Sequence, residues 1–192
     1  MKAWLPNALT LSRILFLLPI IALLEGSTPG ARMWGFALFL AASFTDGLDG
    51  WFARRYGCES NIGIFLDPLA DKIFANLLLL YLASHHPTWI PLWVALLMLA
   101  REFAVQGFRS MAPCLGVVLR TGQMNKWKLV FQLIAIGACM VGLAWEQASR
   151  PMLIITWLAL GLMLFTGIWS MLALFWSNRD LWQRQPLRME LR

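Results

Sequence analysis

At 192 residues, 59% hydrophobic and only 14% charged, with a mean hydropathy of +0.64, the chain lies outside the composition range of soluble domains and takes the lipid bilayer as its expected solvent. Its net charge of +6 comes without a basic run or a basic-aromatic interleave, so no nucleic-acid partner is expected. Three cysteines, Cys58, Cys114 and Cys139, odd in number and lacking CxxC or histidine-paired spacing, indicate neither a disulfide framework nor a zinc site and read as free thiols.

A hydrocarbon core of about 30 Å takes roughly 20 apolar residues per helix, and the runs and breakers predict six spans in one helical domain covering residues 1–192. The first, 8–24, follows Lys2 and could pass for a signal peptide, but Arg13 interrupts it and no small-residue cleavage site follows, so a retained helix is expected. The second, 33–52, runs into TDGLDGWFARR at its end, and the third, 68–83, is preceded by IGIFLDPLADK. The fourth, 91–111, carries Arg101 and Glu102 near its middle. Residues 111–122, with Pro113 and Gly116, read as a loop before the fifth span, 127–145, and the sixth, 152–176.

The connections alternate in charge. Residues 25–32 and 85–91 are poor in cations, whereas Arg54 and Arg55, then Arg109, Arg120, Lys126 and Lys128, then Arg179, Arg184, Arg188 and Arg192 mark the other parity. The positive-inside rule therefore puts both termini and those basic connections in the cytoplasm, with only Arg32 and Arg150 clearly outside. Tryptophans near span ends, among them Trp4, Trp34, Trp51, Trp89, Trp93, Trp127, Trp145 and Trp176, read as interfacial anchors. His85 and His86 fall in an outer loop and are assigned no chemistry.

The informative segment is residues 45–72, because an ionisable group at membrane depth costs a few kcal/mol and four aspartates lie here. Asp46, Asp49, Gly50 and Ala53 are spaced i, i+3, i+4 and i+7 and share one helix face; Asp67 and Asp71, at i and i+4, share a face of the next helix. If the two helices pack antiparallel across their short link, both carboxylate pairs converge near the inner membrane surface. Four such carboxylates repel unless cations sit between them, and hard oxygen ligands suit Mg2+ or Mn2+, which also bind phosphate. Gly50, Ala53 and Gly63 leave room for a ligand or close helix approach, and Arg54 offers phosphate a planar cation. Caps and interfacial charge are the bland alternative, with Asp67 as N-cap ahead of Pro68; a proton or cation pathway is the third reading that spacing alone leaves open.

The pattern D-x2-D-G-x2-A-R-x8-G-x3-D-x3-D, complete as Asp46, Asp49, Gly50, Ala53, Arg54, Gly63, Asp67 and Asp71, resembles the signature of the CDP-alcohol phosphotransferases. That resemblance implies a six-helix membrane fold, usually homodimeric, with a polar cavity facing the cytoplasm. It implies two divalent metals on the four aspartates, contacts to the CDP moiety around Gly50, Ala53, Arg54 and Gly63, and Asp71 as general base.

Further residues resemble the bacterial branch of that family that moves a phosphatidyl group from CDP-diacylglycerol to glycerol 3-phosphate, releasing CMP at the inner membrane. These are Pro6, Asn7, Thr10 and Arg13; the DPLADK run, Asp67 to Lys72; Arg101, Glu102 and Arg109; and Lys126, Lys128 and Gln132. The sequence departs from the branch at Asn125, where glycine is usual, and at Leu129, where threonine is usual. Arg101, Arg109, Lys126 and Lys128 are the candidates to hold the acceptor's phosphate, since the cavity otherwise lacks cationic donors. Against this stand ordinary positive-inside charge for either lysine and a purely structural pairing for Arg101. As neighbours about 100° apart on a helix, Arg101 and Glu102 are not expected to pair with each other. Another acceptor (serine, inositol phosphate, another polyol or phosphatidylglycerol) and, from another class, a cation transporter are the rival functions; six short spans without a broken-helix repeat speak against transport.

Overall fold

The computed structural model of the chain describes the backbone of residues 4–56, 61–111 and 124–179 and the side chains of residues 15–44, 72–111 and 126–179. Among them are six helices and no strand: α1 (Trp4–Glu25), α2 (Pro29–Tyr56), α3 (Asn61–His85), α4 (Leu92–Met111), α5 (Met124–Ala144) and α6 (Ser149–Ser177), with one 3-10 turn, Glu146–Ala148, between the last two. The six apolar runs of the sequence each became a helix. The proposed loop at 111–122 lies almost wholly outside the described residues, as do Cys58 and Cys114; Cys139 is a buried free thiol.

Local chemistry sets the helix ends. At the start of α2, Thr28 is the N-cap: its Oγ1 accepts from the Ala31 N–H at 3.2 Å, and Pro29 follows at the first helical position, where no N–H is needed. Gly26 makes the preceding turn, because a Cβ there would stand 2.8 Å from that of Ala31. Arg32 Nη1 donates to the Leu143 carbonyl at 3.0 Å, placing a cation at the C-terminus of α5 where the helix dipole favours it. His86 follows α3; burial, helped by the Arg32 charge, lowers its pKa below the usual imidazole value. Inside α6, the Thr156 and Thr166 hydroxyls donate to carbonyls four residues back, which satisfies them without a polar partner from another helix.

The bland alternative for Asp67 falls here, and the third helix starts earlier than the expected span at 68. Asp67 is not an N-cap: α3 begins at Asn61, so Asp67 and Pro68 both lie inside the helix. The signal that misled is Pro68, whose preference for a first turn is real but is overridden, as lipid-embedded helices often allow.

The helices pack with α5 against α6 most extensively, α1 against α2 and α3, α2 against α5, and α4 bridging α3 and α6. Ile20, Phe39, Leu78, Met98, Ile136 and Met163, one from each helix, are all within the core. Large apolar side chains cover much of the described outer surface: Leu18, Phe44, Phe103, Leu158, Phe165 and Leu172 are all more than half exposed, a coat that suits lipid better than water. By length and hydropathy, two described segments suffice to cross a membrane, Lys126–Ala144 and Glu146–Ser177, and Leu15–Glu25 and Lys72–His85 are shorter apolar stretches.

Trp34, Trp93, Trp127, Trp145 and Trp176 project from the surface near helix ends, as anchors do. Trp89 does not: half-buried, it packs on the core, and its ring lies 2.1 Å from where a Cβ on Gly142 would stand. Gly142→Ala is therefore expected to cost about 1–3 kcal/mol by overpacking, read as a lower melting temperature in detergent; an unchanged transition would mean that the Trp89 ring moves aside freely. The side chains of Trp4 and Trp51 lie outside the described residues.

Candidate functional site

Two neighbouring regions make up the site. The first is the signature itself. Asp46, Asp49, Gly50, Ala53 and Arg54 fall in the C-terminal half of α2, and Gly63, Asp67 and Asp71 in the N-terminal half of α3; no more than the four residues 57–60 separate the two helices. The side chains of these eight lie outside the described residues. What is described is the pair of rings that joins the helices: Phe39 and Phe74 stack with centroids 6.2 Å apart and planes 12° from parallel. Helical register carries Phe39 and Ala42 onto the face of Asp46, Asp49 and Ala53, and carries Phe74 onto the face of Asp67 and Asp71.

The second region is an ion cluster centred on Glu102. Its Oε1 takes Lys72 Nζ at 3.0 Å; its Oε2 takes Lys128 Nζ at 2.8 Å and Arg101 Nη1 at 3.0 Å. Lys72 also donates to Gln106 Oε1 at 3.1 Å. Arg101 reaches across to α6, donating from Nε to the Gly167 carbonyl at 3.1 Å and from Nη2 to Ser170 Oγ. Gly167 lets α6 pack closely beside the cluster, since a Cβ there would stand 2.8 Å from the Met98 methyl and 3.6 Å from the Lys128 stem. One carboxylate thus ties α3, α4, α5 and, through Arg101, α6. One turn further along α3 and α5, Gln132 Nε2 donates to Asn76 Oδ1 at 3.0 Å.

The electrostatics of this cluster are unbalanced. Among the described residues, three cations share one carboxylate, leaving two positive charges in excess among them at a place where Glu102, Arg101 and Lys128 are all buried. Such an excess is costly in an apolar surrounding unless an anion or nearby carboxylates offset it. Lys72 directly follows Asp71 in the chain, so the cluster begins at the level of α3 that also carries Asp71, on a neighbouring face of the helix.

The acceptor candidates divide. Arg101 and Lys128 belong to the cluster; the Arg101–Glu102 pair forms despite the neighbours' angular offset, because the guanidinium, held on α6 by Gly167 and Ser170, still turns Nη1 to the Glu102 carboxylate that reaches for Lys128. Arg109, two turns on in α4, has a buried Nε with no partner among the described residues. Lys126 is exposed and stays outside the cluster, as an i, i+2 relation to Lys128 dictates. Sequence reading missed Glu102 as the hub, and missed Gln106 and Ser170 as its supports; the available signal was Lys72, a lysine inside an apolar helix that requires a buried counter-charge.

Comparison with known proteins gives a match to the family model for CDP-alcohol phosphatidyltransferase over residues 3–174. Similar curated proteins include the CDP-diacylglycerol–glycerol-3-phosphate 3-phosphatidyltransferases of Bacillus subtilis (strain 168), 35% identical over 77% of this chain and 82% of the relative, and of Rickettsia bellii (strain RML369-C), 35% identical over 85% and 91%. The protein of that name from Salmonella choleraesuis (strain SC-B67) is 29% identical over 88% and 91%.

Proposed function

Because the chain belongs to the CDP-alcohol phosphatidyltransferase family, we propose that α2 and α3 hold the nucleotide-activated lipid and that the Glu102 cluster receives the phosphorylated acceptor. The chain is a phosphatidyltransferase of phospholipid biosynthesis. It transfers the phosphatidyl group of CDP-diacylglycerol to glycerol 3-phosphate, the reaction named for its relatives, giving phosphatidylglycerol phosphate and CMP. The observation that carries the acceptor is the positive excess among the described residues around Glu102, at the level of α3 where Lys72 follows Asp71, which suits a phosphomonoester dianion and not a neutral or zwitterionic alcohol.

The donor set fits divalent metal: four carboxylates on two helices that touch at the Phe39–Phe74 stack supply hard oxygens in a number that Mg2+ or Mn2+ takes up, two ions by the family pattern. Asp46, Asp49, Asp67 and Asp71 would hold the ions, whose chemistry is to neutralise the pyrophosphate and polarise the phosphorus under attack. The protein's own groups do the rest. Gly50, Ala53 and Gly63 admit the CDP moiety, and Arg54 offers it a cation. Lys72 and Lys128, oriented by Glu102, together with Arg101 and Arg109, hold the acceptor's phosphate, with exposed Lys126 at the approach. Asp71 takes the proton of the acceptor hydroxyl as its oxygen bonds to the diacylglycerol-bearing phosphorus and the bond to CMP breaks.

All six helices cross the bacterial inner membrane with both termini cytoplasmic. The enzyme acts as a homodimer among membrane lipids, its site open to the cytoplasm, where soluble acceptor meets lipid donor. The charge alternation of the connections supports this topology, as does the exposed apolar coat.

The test offers purified protein in detergent CDP-diacylglycerol with competing acceptors, with and without Mg2+ or Mn2+. Rapid CMP release is expected with glycerol 3-phosphate and metal only. Faster release with serine or inositol phosphate would overturn the acceptor, and release at full rate under chelation would overturn the metal.

A further inference from the structure

An apolar groove of about 520 Å³ runs between α2 and α5, lined by Phe36, Leu40 and Phe44 on one side and Ile134, Gly137 and Val141 on the other. We propose that this groove is the binding site for one acyl chain of the lipid donor. The inference rests on the function proposed above and adds where the lipid tail goes.

Three observations favour a hydrocarbon occupant. First, the groove's lining is apolar apart from Ser43, whose hydroxyl proton is already donated to the Phe39 carbonyl at 2.8 Å, so a polar ligand would find no side-chain donor there. Second, the groove covers residues 36–44 of α2, about 12 Å at 1.5 Å per residue, close to the roughly 15 Å depth of one leaflet. Third, it is continuous with the signature. The lining positions 36, 40 and 43 continue in steps of four and three to Gly47, Gly50 and Arg54, so the face of α2 that is apolar along the groove leads one turn later to two of the residues assigned to the CDP moiety. A molecule with a CDP head and a fatty tail matches that order of chemistry along a single helix face.

Gly137 keeps the groove open. A Cβ there would meet the rings of Phe36 and Phe39 at 3.5 Å, ordinary contact, whereas a longer side chain would have to enter the groove. Because lipid tails are as apolar as the lining, an acyl chain gains by packing rather than by leaving water, so filling the groove should be felt by the tail alone.

The experiment compares wild type, Gly137→Ala and Gly137→Leu on CDP-diacylglycerol with long or with six-carbon acyl chains in mixed micelles, with glycerol 3-phosphate as acceptor. Gly137→Leu is expected to raise KM for the long-chain donor by about fivefold to a hundredfold relative to Gly137→Ala, with the KM for glycerol 3-phosphate unchanged and a smaller rise for the short-chain donor. Equal rises for both donors, or none, would overturn the proposal. A second arm does not depend on the variant folding: CDP-diacylglycerol with a photoreactive fatty tail is irradiated on wild-type protein and the modified residues are mapped. Labelling at Ile134, Gly137 or Val141 that excess unlabelled donor suppresses supports the site; labelling that bulk phospholipid suppresses equally, or chain-to-chain contacts across this face, overturns it. Absence of CMP release by the wild type with either donor would defeat the proposed function instead, and the labelling arm would still decide whether the groove takes the tail.

Discussion

Asp71→Asn is expected to lower the transfer rate by about a hundredfold to ten-thousandfold, the range that a positioned general base contributes, while the protein still inserts and melts as the wild type does. Asparagine keeps the size of the side chain and can still accept a hydrogen bond, but it cannot take the proton that the acceptor hydroxyl must lose as its oxygen bonds to phosphorus. Asp71 is also assigned to the metal set, so the loss should lie toward the upper end of that range and should not be restored by raising glycerol 3-phosphate. The measurement is CMP release under saturating donor, acceptor and metal, paired with a thermal melt in detergent. Turnover near that of the wild type would remove Asp71 from the role of base. A collapsed melt with lost turnover would make its role structural.

Glu102→Gln is expected to produce the largest stability effect in the chain, about 3–5 kcal/mol, the cost of leaving buried charge uncompensated. The carboxylate is nearly buried and takes three cations at 2.8–3.0 Å; glutamine offers one carbonyl oxygen in place of two charged ones, and its amide donors face groups that are themselves donors. Lys72, Lys128 and Arg101 would then repel one another at the junction of four helices. The expected readout is a strongly lowered melting temperature and poor yield after extraction. Combining Glu102→Gln with Lys128→Met should recover part of the stability, because it removes one of the uncompensated charges, although the acceptor site would be lost with it. Were the single variant as stable as the wild type, the cluster would be held by the remaining hydrogen bonds, and Glu102 would not be its hub.

The sources of these two expectations differ. The proposal for Asp71 comes from the chain alone: four aspartates at i, i+3 and i, i+4 spacing in an apolar context have few explanations, and the surrounding glycines and arginine narrow them further. The six helices were equally legible, since hydrocarbon thickness demands long apolar runs and the runs are there. The ends of the helices were less so. Pro68 suggested a helix start, yet α3 begins at Asn61, because a proline inside a lipid-embedded helix costs one hydrogen bond while neighbouring helices keep the backbone in place.

Glu102 was not legible as a hub. Arg101 and Glu102 stood out as charged residues at mid-helix, but adjacent positions on a helix diverge, and nothing in the order of residues tells which side chains bend back to meet. Lys72 comes from α3 and Lys128 from α5, 30 and 26 residues from Glu102 in the chain, and only helix packing brings them to one carboxylate. The same holds for Trp89, which looks like an interfacial anchor in one dimension and packs on Gly142 in three.

By itself, then, the sequence determined the helices that the described residues form and the family, and it singled out the bilayer as solvent and the aspartates as the proposed site, because each is written in local composition and periodic spacing. Tertiary structure decided which cations share Glu102, which of the four acceptor candidates join that cluster, and where an apolar groove stays open beside the signature face. Those depend on distances between helices that are far apart in the chain, set by the packing of bulky rings against bare glycines, and a one-dimensional pattern does not encode them.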